Sequence, residues 1–422
     1  MYTYTIVSVV SWAIVAVASI ILIVRFARSS SFKEIFWHRY LVIPVAVIIV
    51  ASLSGFYSYK TYAPDFAMPP FMHTMAPGGP APYLPLKNVL KFFQKASDFE
   101  RVSDIGADYN AVPAPIARTT PETVEISLTA KEVISEVAPN VFFNFWTYNG
   151  QVPGPMLRVR EGDTVILTLT NDKTSLHTHN IDLHSVNGPG GGATITNVNP
   201  GEAKAFKWKA VQPGLYVYHC ATANVSTHNS HGQYGLVLVE PKEGLPKVDK
   251  EFYVMQGELY TMGDIGRQGM TVFDAQKLLD GNPTYVTFNG RVEKKTGMEI
   301  NRGDRVRMYV GNGGVNLVSS FHIIGEIFDT VYPEGAMGLG SALFKNVQTT
   351  IVPAGGSAVV EFVAEVPGRL ILVDHALARM NKGTWATAMV KGAENPDVFS
   401  AVKTSSSTAN VQSTHDMEMG GY

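Results

Sequence analysis

The residues of this chain whose types and spacing suit metal chemistry lie in two short stretches, HNIDLH and YHC. They supply His179, Asp182, His184, His219 and Cys220, the only cysteine among 422 residues. A lone cysteine is usually a small buried hydrophobic residue, and a single strand histidine is more often structural than a ligand. Five such residues at this spacing favour a metal site instead.

Strand geometry divides these histidines and the cysteine into two groups. Successive side chains of a β-strand point to opposite faces, so His179 pairs with Cys220 and His184 pairs with His219. With His228, eight residues after Cys220, the first group offers one thiolate and two imidazoles, a soft trigonal set suited to an electron-transfer copper. The second group suits a copper that keeps an open position for a small substrate.

The loop after Cys220 carries a polar residue where a fourth ligand is expected. Loops of this type usually close with methionine, but the register of YGLVLVEP places Gln233 at that position. Glutamine is an alternative axial ligand, and its harder oxygen favours Cu(II) and lowers the potential. His231 is a rival ligand that lies off register, and a weakly held or absent first copper is a third alternative.

The elements that must position these residues are β-strands in two copies. VREGDTVILTLTND and NRGDRVRMYVGN are similar strand signals about 140 residues apart, each with a Gly-Asp turn. VNPGEAKAFKWKAVQPGLYVYHC is echoed by IVPAGGSAVVEFVAEVPGRLILVDHA, which keeps a histidine, His375, and has Ala376 where the first copy has cysteine. We therefore predict an all-β fold of two tandem cupredoxin-like β-sandwich domains.

The N-terminal residues predict a membrane anchor. Residues 5–24 and 40–59 are uncharged and long enough to span a bilayer. The loop between them holds four basic residues and one acidic residue, so it is expected on the cytoplasmic side of a bacterial inner membrane, with the catalytic domains on the periplasmic side. A signal peptide is the alternative, but the first run lacks a basic n-region.

The predicted organisation has five parts. They are a transmembrane helical hairpin at 1–60, a linker with a short amphipathic helix at 61–106, two β-sandwich domains at 107–245 and 246–400, and a flexible tail at 401–422. The formal net charge of −2, with acids and bases dispersed, argues against nucleic acid as a partner.

Several stretches resemble the two-domain copper-containing nitrite reductases. They are HNIDLH, VNPGE, PGLYVYHC, FHIIGEIFDTVYPEG, VPAGG and VDHALA, and the resemblance runs from about residue 105 to about 392. It implies a homotrimeric enzyme that reduces nitrite to nitric oxide and water with one electron and two protons, and that carries two coppers per subunit.

The resemblance also implies a role for each ligand. The electron-accepting type 1 site would be formed by His179, Cys220, His228 and, as axial ligand, Gln233. The nitrite-binding type 2 site would be formed by His184, His219 and, from the neighbouring subunit, His375. The adjacent pair Cys220–His219 would then join the two coppers through covalent bonds.

Three further residues would serve the substrate: Asp182, His322 and Ile324. Asp182 has the strand parity of His184, and its carboxyl would donate or relay a proton. His322 would supply or orient the second proton, since imidazole titrates near neutral pH; its alternative role is that of a core histidine. Ile324 matches the apolar side chain that shapes the nitrite pocket.

The sequence also bears on the electron donor and on two competing classes of copper protein. The anchor and the polar loop after Cys220 favour quinol or a periplasmic or membrane cytochrome or cupredoxin as electron donor. A laccase-like multicopper oxidase needs repeated His-X-His pairs, but His177-Thr178-His179 is the only one here, and Ala221 follows Cys220. A non-enzymatic copper electron-transfer protein would have no use for the second group.

Overall fold

The computed structural model describes the body of the chain and only a few residues before it. The described residues are 86–292, 296–402 and three single positions, Val17, Ile20 and Val24. These three positions are helical, and the rest of the predicted hairpin, the linker up to residue 85 and the tail from residue 403 lie outside the described residues. Within the described part of the chain, no helix is long and apolar enough to cross a membrane.

The first half of the body consists of two facing sheets. Its strands are β1 (Glu100–Arg101), β2 (Thr123–Ala138), β3 (Val141–Tyr148), β4 (Leu157–Arg160), β5 (Thr164–Asn171), β6 (Asp182–Leu183), β7 (Ala203–Lys209), β8 (Gly214–His219) and β9 (Tyr234–Glu240). One sheet has the order β3-β2-β5-β7, and the other has the order β4-β9-β8-β6. The apolar residues between the sheets, among them Leu167, Leu183 and Val237, form one buried core.

The second half repeats this arrangement. Its strands are β10 (Lys250–Leu259), β11 (Gly269–Met270), β12 (Tyr285–Phe288), β13 (Met298–Asn301), β14 (Arg305–Asn312), β15 (Ser319–Ile324), β16 (Thr330–Tyr332), β17 (Thr349–Val352), β18 (Ser357–Val363), β19 (Gly368–Asp374) and β20 (Trp385–Lys391). The sheets have the orders β12-β10-β14-β18-β16 and β13-β20-β19-β15-β17. Strand β11 joins the first half by pairing with β3.

The two sequence repeats occupy equivalent places in the two halves. Strand β5 alternates half-buried and buried residues and pairs in parallel with β2, as β14 pairs in parallel with β10. Each follows a Gly-Asp turn, in which Gly162 and Gly303 have positive φ values of 92° and 94°. The predicted all-β fold with two tandem β-sandwich domains is therefore correct.

The described body has three short α-helices, α1 (Leu86–Lys95), α2 (Val225–Ser230) and α3 (Ala275–Leu279), and three 3-10 helices, Pro189–Gly192, Pro333–Gly335 and Leu377–Lys382. Helix α1 lies where the sequence predicts a short amphipathic helix, and Phe92 packs with Phe99 and Ile134 in a small cluster bordered by Leu176. Helix α2 follows Cys220 and carries His228. Its formation brings a histidine that is eight residues away in sequence back towards the end of β8.

A buried ion-pair network joins the two halves. Arg158 on β4 pairs with Glu240 and, at 2.8 Å, with Glu251 on β10. Arg307 on β14 contacts the same Glu251 carboxylate at 3.2 Å and Glu361 at 2.6 Å. Because both guanidinium groups are almost fully buried, Glu251 is the shared counter-ion of a charge from each half.

Candidate metal centres

Four side-chain atoms converge in a buried group near the end of β8, which we call the first centre. His228 Nδ1 lies 3.3 Å from His179 Nδ1, 3.3 Å from Cys220 Sγ and 3.2 Å from Gln233 Oε1. His179, Cys220 and Gln233 have no exposed surface, and His228 is 4% exposed. A thiolate, two imidazoles and an amide oxygen at this spacing fit a soft metal such as copper.

The backbone fixes this convergence from two directions. His179 forms an isolated bridge with Val198, with hydrogen bonds in both directions, and Cys220 donates its backbone N–H to the carbonyl of Gln233 at 3.1 Å. Helix α2 begins after Asn224, whose φ of 66° turns the chain sharply. The loop between Cys220 and Gln233 is thereby closed around the site.

The environment of the Cys220 sulfur favours the thiolate. Burial would raise the pKa of the Cys220 thiol, but the imidazoles of His228 and His179 bring it well below its usual value. Asn180 donates its backbone N–H to the sulfur at 3.5 Å, and its side-chain oxygen accepts the Ala221 N–H at 2.7 Å. The thiolate is the form that binds metals.

His231, the rival ligand, faces away from the first centre. Its Nδ1 donates to the Thr227 carbonyl at 2.6 Å, and its ring stacks on Trp146 with centroids 4.1 Å apart. Burial lowers the pKa of His231 to about 3. The structure therefore places Gln233, and not His231, beside the His228 ring nitrogen.

A second centre lies on the other side of the same strand end. His184 Nε2 and His219 Nε2 are 3.0 Å apart, and Asp182 offers a carboxylate oxygen within 4.8 Å of both ligand atoms. Asp182 and His219 are directly paired residues of β6 and β8. His219 Nδ1 lies 3.0 Å from the Cys220 carbonyl, which leaves Nε2 facing the open side.

The division into two groups agrees with the strand-parity argument, but its structural basis differs. The sequence predicts one strand through HNIDLH, whereas the structure has only the two-residue strand β6, Asp182–Leu183. His179 and His184 lie in the segments on either side of it. The long pairing partner is β8, and its last residue, His219, faces the second centre while Cys220 faces the first.

The electrostatics of the second centre differ from those of the first. Although His184 keeps exposed surface, partial burial of its ring and the neighbouring His219 lower its pKa to about 4, so this imidazole is neutral and can bind a metal. Burial raises the pKa of the Asp182 carboxyl, and His219 opposes that rise. A carboxyl of raised pKa beside the neutral His184 imidazole is suited to proton transfer.

A glycine run lies directly beneath Asp182. In the turn Pro189–Gly192, Gly191 has φ +54°, and a Cβ on it would stand 1.9 Å from Asp182 Oδ1. No side chain fits in that space. The backbone of this glycine run therefore packs directly against the Asp182 carboxylate.

The remaining predicted residues form a separate group in the second half. His322 and His375 have ring centroids 5.3 Å apart, and His322 Nδ1 donates to the Gln348 carbonyl at 2.6 Å. Ile324, at the end of β15, is 42% exposed. Among the described residues of one chain, neither cluster of three metal-ligating side chains includes His375.

Comparison with known proteins identifies the family. The copper-containing nitrite reductase of Neisseria meningitidis is 51% identical over 292 residues, which cover 68% of this chain and 75% of that protein. The chain belongs to the copper-containing nitrite reductase family. The enzyme of Neisseria gonorrhoeae is also 51% identical, over 68% of this chain and 74% of its own. The family and the enzyme class predicted from the sequence are confirmed.

Structural comparison agrees with this membership in the copper nitrite reductase family. A copper nitrite reductase from Nitrosomonas europaea superposes with a TM-score of 0.58 at 32% identity, covering 65% of this chain and 96% of that one. A family model described as multicopper oxidase matches residues 131–244, the range that holds the first centre. A solved multicopper oxidase also superposes on this chain, with a TM-score of 0.54 at 25% identity, covering 69% of this chain and 94% of that one.

Sequence reasoning missed the residues that surround the first centre. Glu132 lies 3.6 Å from His179 Nε2 and 3.0 Å from His177 Nδ1. Trp146 contacts His177 and His228 with its ring. In the sequence, His177-Thr178-His179 resembles only the His-X-His pattern of multicopper oxidases, which gives His177 no role in a nitrite reductase.

Proposed function

We propose that this member of the copper nitrite reductase family reduces nitrite to nitric oxide and water. The reaction consumes one electron and two protons and breaks one N–O bond. The observation that carries the proposal is the adjacency of His219 and Cys220. One peptide unit connects Cys220 of the thiolate-containing group with His219 of the imidazole–carboxylate group. This connection offers a short path for the single electron that the reaction needs.

The donor sets support copper at both centres. His179, Cys220 and His228 with Gln233 would hold the electron-accepting type 1 copper, and His184 and His219 would hold the type 2 copper. Bound copper would supply the electron to nitrite and would bind one of its oxygens. The side chains of the first centre have almost no exposed surface, so bulk water does not reach it. The second centre is open to solvent at His184, which is exposed.

Asp182 and His322 are the proposed proton-handling residues. The raised pKa of Asp182 lets its carboxyl hold a proton beside the bound anion. His322 keeps its Nδ1 on the Gln348 carbonyl, so its Nε2 is the atom available to a bridging water. Ile324 would present an apolar wall to nitrite.

A homotrimer is proposed because the second centre is incomplete in one chain. His184 and His375 are both exposed, and exposed apolar residues such as Ile351, at 66%, lie in the second half. His375 of a neighbouring subunit would supply the third imidazole. Exposed ligands and apolar surface are what an interface between copies would cover.

The membrane anchor, the location and the donor are proposed from the sequence. The uncharged runs and the basic loop favour an inner-membrane hairpin with the body in the periplasm. A protein held there would take electrons from quinol or from a periplasmic or membrane cytochrome or cupredoxin. Turnover of detergent-solubilised enzyme with a quinol analogue alone, lost on deleting residues 1–106, supports quinol; a requirement for added cytochrome contradicts it.

The decisive test is nitric oxide release from nitrite by purified, copper-loaded protein, followed with a nitric oxide electrode. Asp182→Asn should lower turnover by about 10²–10⁴-fold, the usual contribution of a general acid, with unchanged copper content. Oxygen uptake with a phenolic reductant and no nitric oxide release would indicate the multicopper-oxidase alternative. Unchanged turnover in Asp182→Asn would remove this residue from the mechanism.

A further inference from the structure

A buried carboxylate next to the first centre requires an explanation. Glu132 lies in the middle of β2, has no exposed surface and stands directly opposite Trp146 of β3 in the sheet register. A buried charge is strongly destabilising unless it is paired and hydrogen bonded. Its partners therefore indicate what holds it there.

The contacts of this carboxylate come from the segment 176–179, which ends at the first-centre residue His179. Glu132 Oε1 accepts the backbone N–H groups of Leu176 at 2.7 Å and His177 at 2.8 Å, and it lies 3.0 Å from His177 Nδ1. The same oxygen is 3.6 Å from His179 Nε2. Glu132 Oε1 therefore contacts three residues of the 176–179 turn, Leu176, His177 and His179.

The orientation of the His179 ring follows from these contacts. Its Nδ1 faces the donor atoms of the first centre, 3.3 Å from His228 Nδ1, so its Nε2 faces Glu132. A neutral imidazole that binds metal through one nitrogen carries its proton on the other, and a carboxylate is a common acceptor for that proton. Two backbone N–H groups donate to Glu132 Oε1, and hydrogen bonds of this kind favour the ionised form of a carboxylate.

His177 connects the same carboxylate to the other imidazole ligand. Its ring packs on Trp146 with centroids 4.2 Å apart, and Trp146 meets His228 edge-on at 4.6 Å. Trp146 is itself fixed, because its Nε1–H donates to Asn144 Oδ1 at 2.9 Å. The Glu132–His177–Trp146 group therefore touches both ring ligands of the first centre from outside.

We propose that Glu132, held by His177, is a positioning residue of the first centre that fixes the tautomer and orientation of His179 and lowers the potential of the metal with its charge. The inference rests on the proposed copper assignment of that centre. A fixed negative charge next to an imidazole ligand stabilises Cu(II) more than Cu(I). Loss of the charge therefore weakens Cu(II) binding selectively.

The test compares Glu132→Gln with Glu125→Gln in copper-loaded protein. Glutamine keeps the size of Glu132 and one acceptor oxygen and replaces the charged carboxylate by a neutral amide, while Glu125 is an exposed glutamate on the same strand. Glu132→Gln should weaken Cu(II) binding about 10–100-fold, measured by chelator competition at the thiolate-to-copper absorption band. Each tenfold loss relative to Cu(I) raises the potential by about 59 mV.

The outcomes separate this inference from the proposed function. A potential and affinity equal to those of Glu125→Gln overturn the positioning role while leaving nitrite reduction in place. Absence of a thiolate-to-copper band in the unaltered chain overturns both. If Glu132→Gln does not fold, ¹⁵N NMR of the Cu(I) form of the unaltered chain decides: a proton on His179 Nε2 supports the role, and an unprotonated Nε2 overturns it.

Discussion

Gly191→Ala should damage catalysis without adding any group to the metal ligands. The Cβ of an alanine at this position would lie 1.9 Å from Asp182 Oδ1 and 2.8 Å from the Leu183 carbonyl oxygen. Real Cβ atoms essentially never approach another heavy atom closer than 3.0 Å. The backbone of Gly191 is packed against Leu183 of the β6 segment. The Asp182 carboxylate must therefore move by about 1 Å to reach an allowed distance from the new Cβ.

The size of the effect follows from that displacement. Misplacing a catalytic group by about 1 Å costs on the order of 100-fold in rate, or about 2.7 kcal/mol of activation free energy. A non-glycine residue at φ +54° adds a stability cost of about 1–2 kcal/mol. We expect kcat to fall about 100-fold, with the copper content unchanged and the melting temperature lowered by a few degrees.

The matched control is Gly188→Ala in the same loop. Gly188 has an extended φ of 179°, and its nearest neighbour to a new Cβ would be Val186 Cγ1 at 3.7 Å. Both variants are loaded with copper and compared for nitric oxide release, KM for nitrite and melting temperature. A kcat for Gly191→Ala within threefold or so of the control would refute the positional argument for Asp182.

Three further predictions follow from the described contacts. Gln233→Met should raise the potential of the first centre, because a thioether favours Cu(II) less than an amide oxygen; an unchanged potential in spectropotentiometry contradicts an axial role. His231→Phe should retain the thiolate-to-copper band, and its loss would make His231 a ligand. Glu251→Gln should lower the unfolding free energy by about 3–5 kcal/mol at pH 7 in urea titrations, since Arg158 and Arg307 lose their shared counter-ion. Burial would raise the pKa of Glu251, but Arg158 and its other partners lower it, so this difference is present above about pH 4.5 and shrinks as the pH falls further; a pH-independent difference contradicts the pairing.

The convergence of the proposed ligands in two groups can be predicted from the sequence because it is specified locally. His219 and Cys220 are adjacent, and strand geometry alone sends them to opposite faces. The repeat of the β5 and β14 segments likewise predicts two similar β-sandwich domains, since each stretch is a strand signal that follows a Gly-Asp turn.

What the sequence does not reveal depends on contacts between distant segments. Glu132 lies 44 positions before Leu176, and by residue type it is the same as the exposed Glu125 on its own strand. Only the pairing of β2 with β3 and the fold of the 176–179 turn make it a buried partner of His179. The proposed completion of the second centre by His375 of a neighbouring subunit cannot be derived from one chain either, because it depends on how copies assemble.

The shared strand end of the two centres makes the molecule modular. His219 is the last residue of β8, and the loop from Ala221 to Gly232 begins beyond Cys220. That loop includes the proposed ligand His228, so only its half-buried residues 223–226 can be exchanged without removing a side chain of the first centre. Substitutions at these positions alter the surface beside the first centre and leave unchanged the single peptide unit between the two ligand sets.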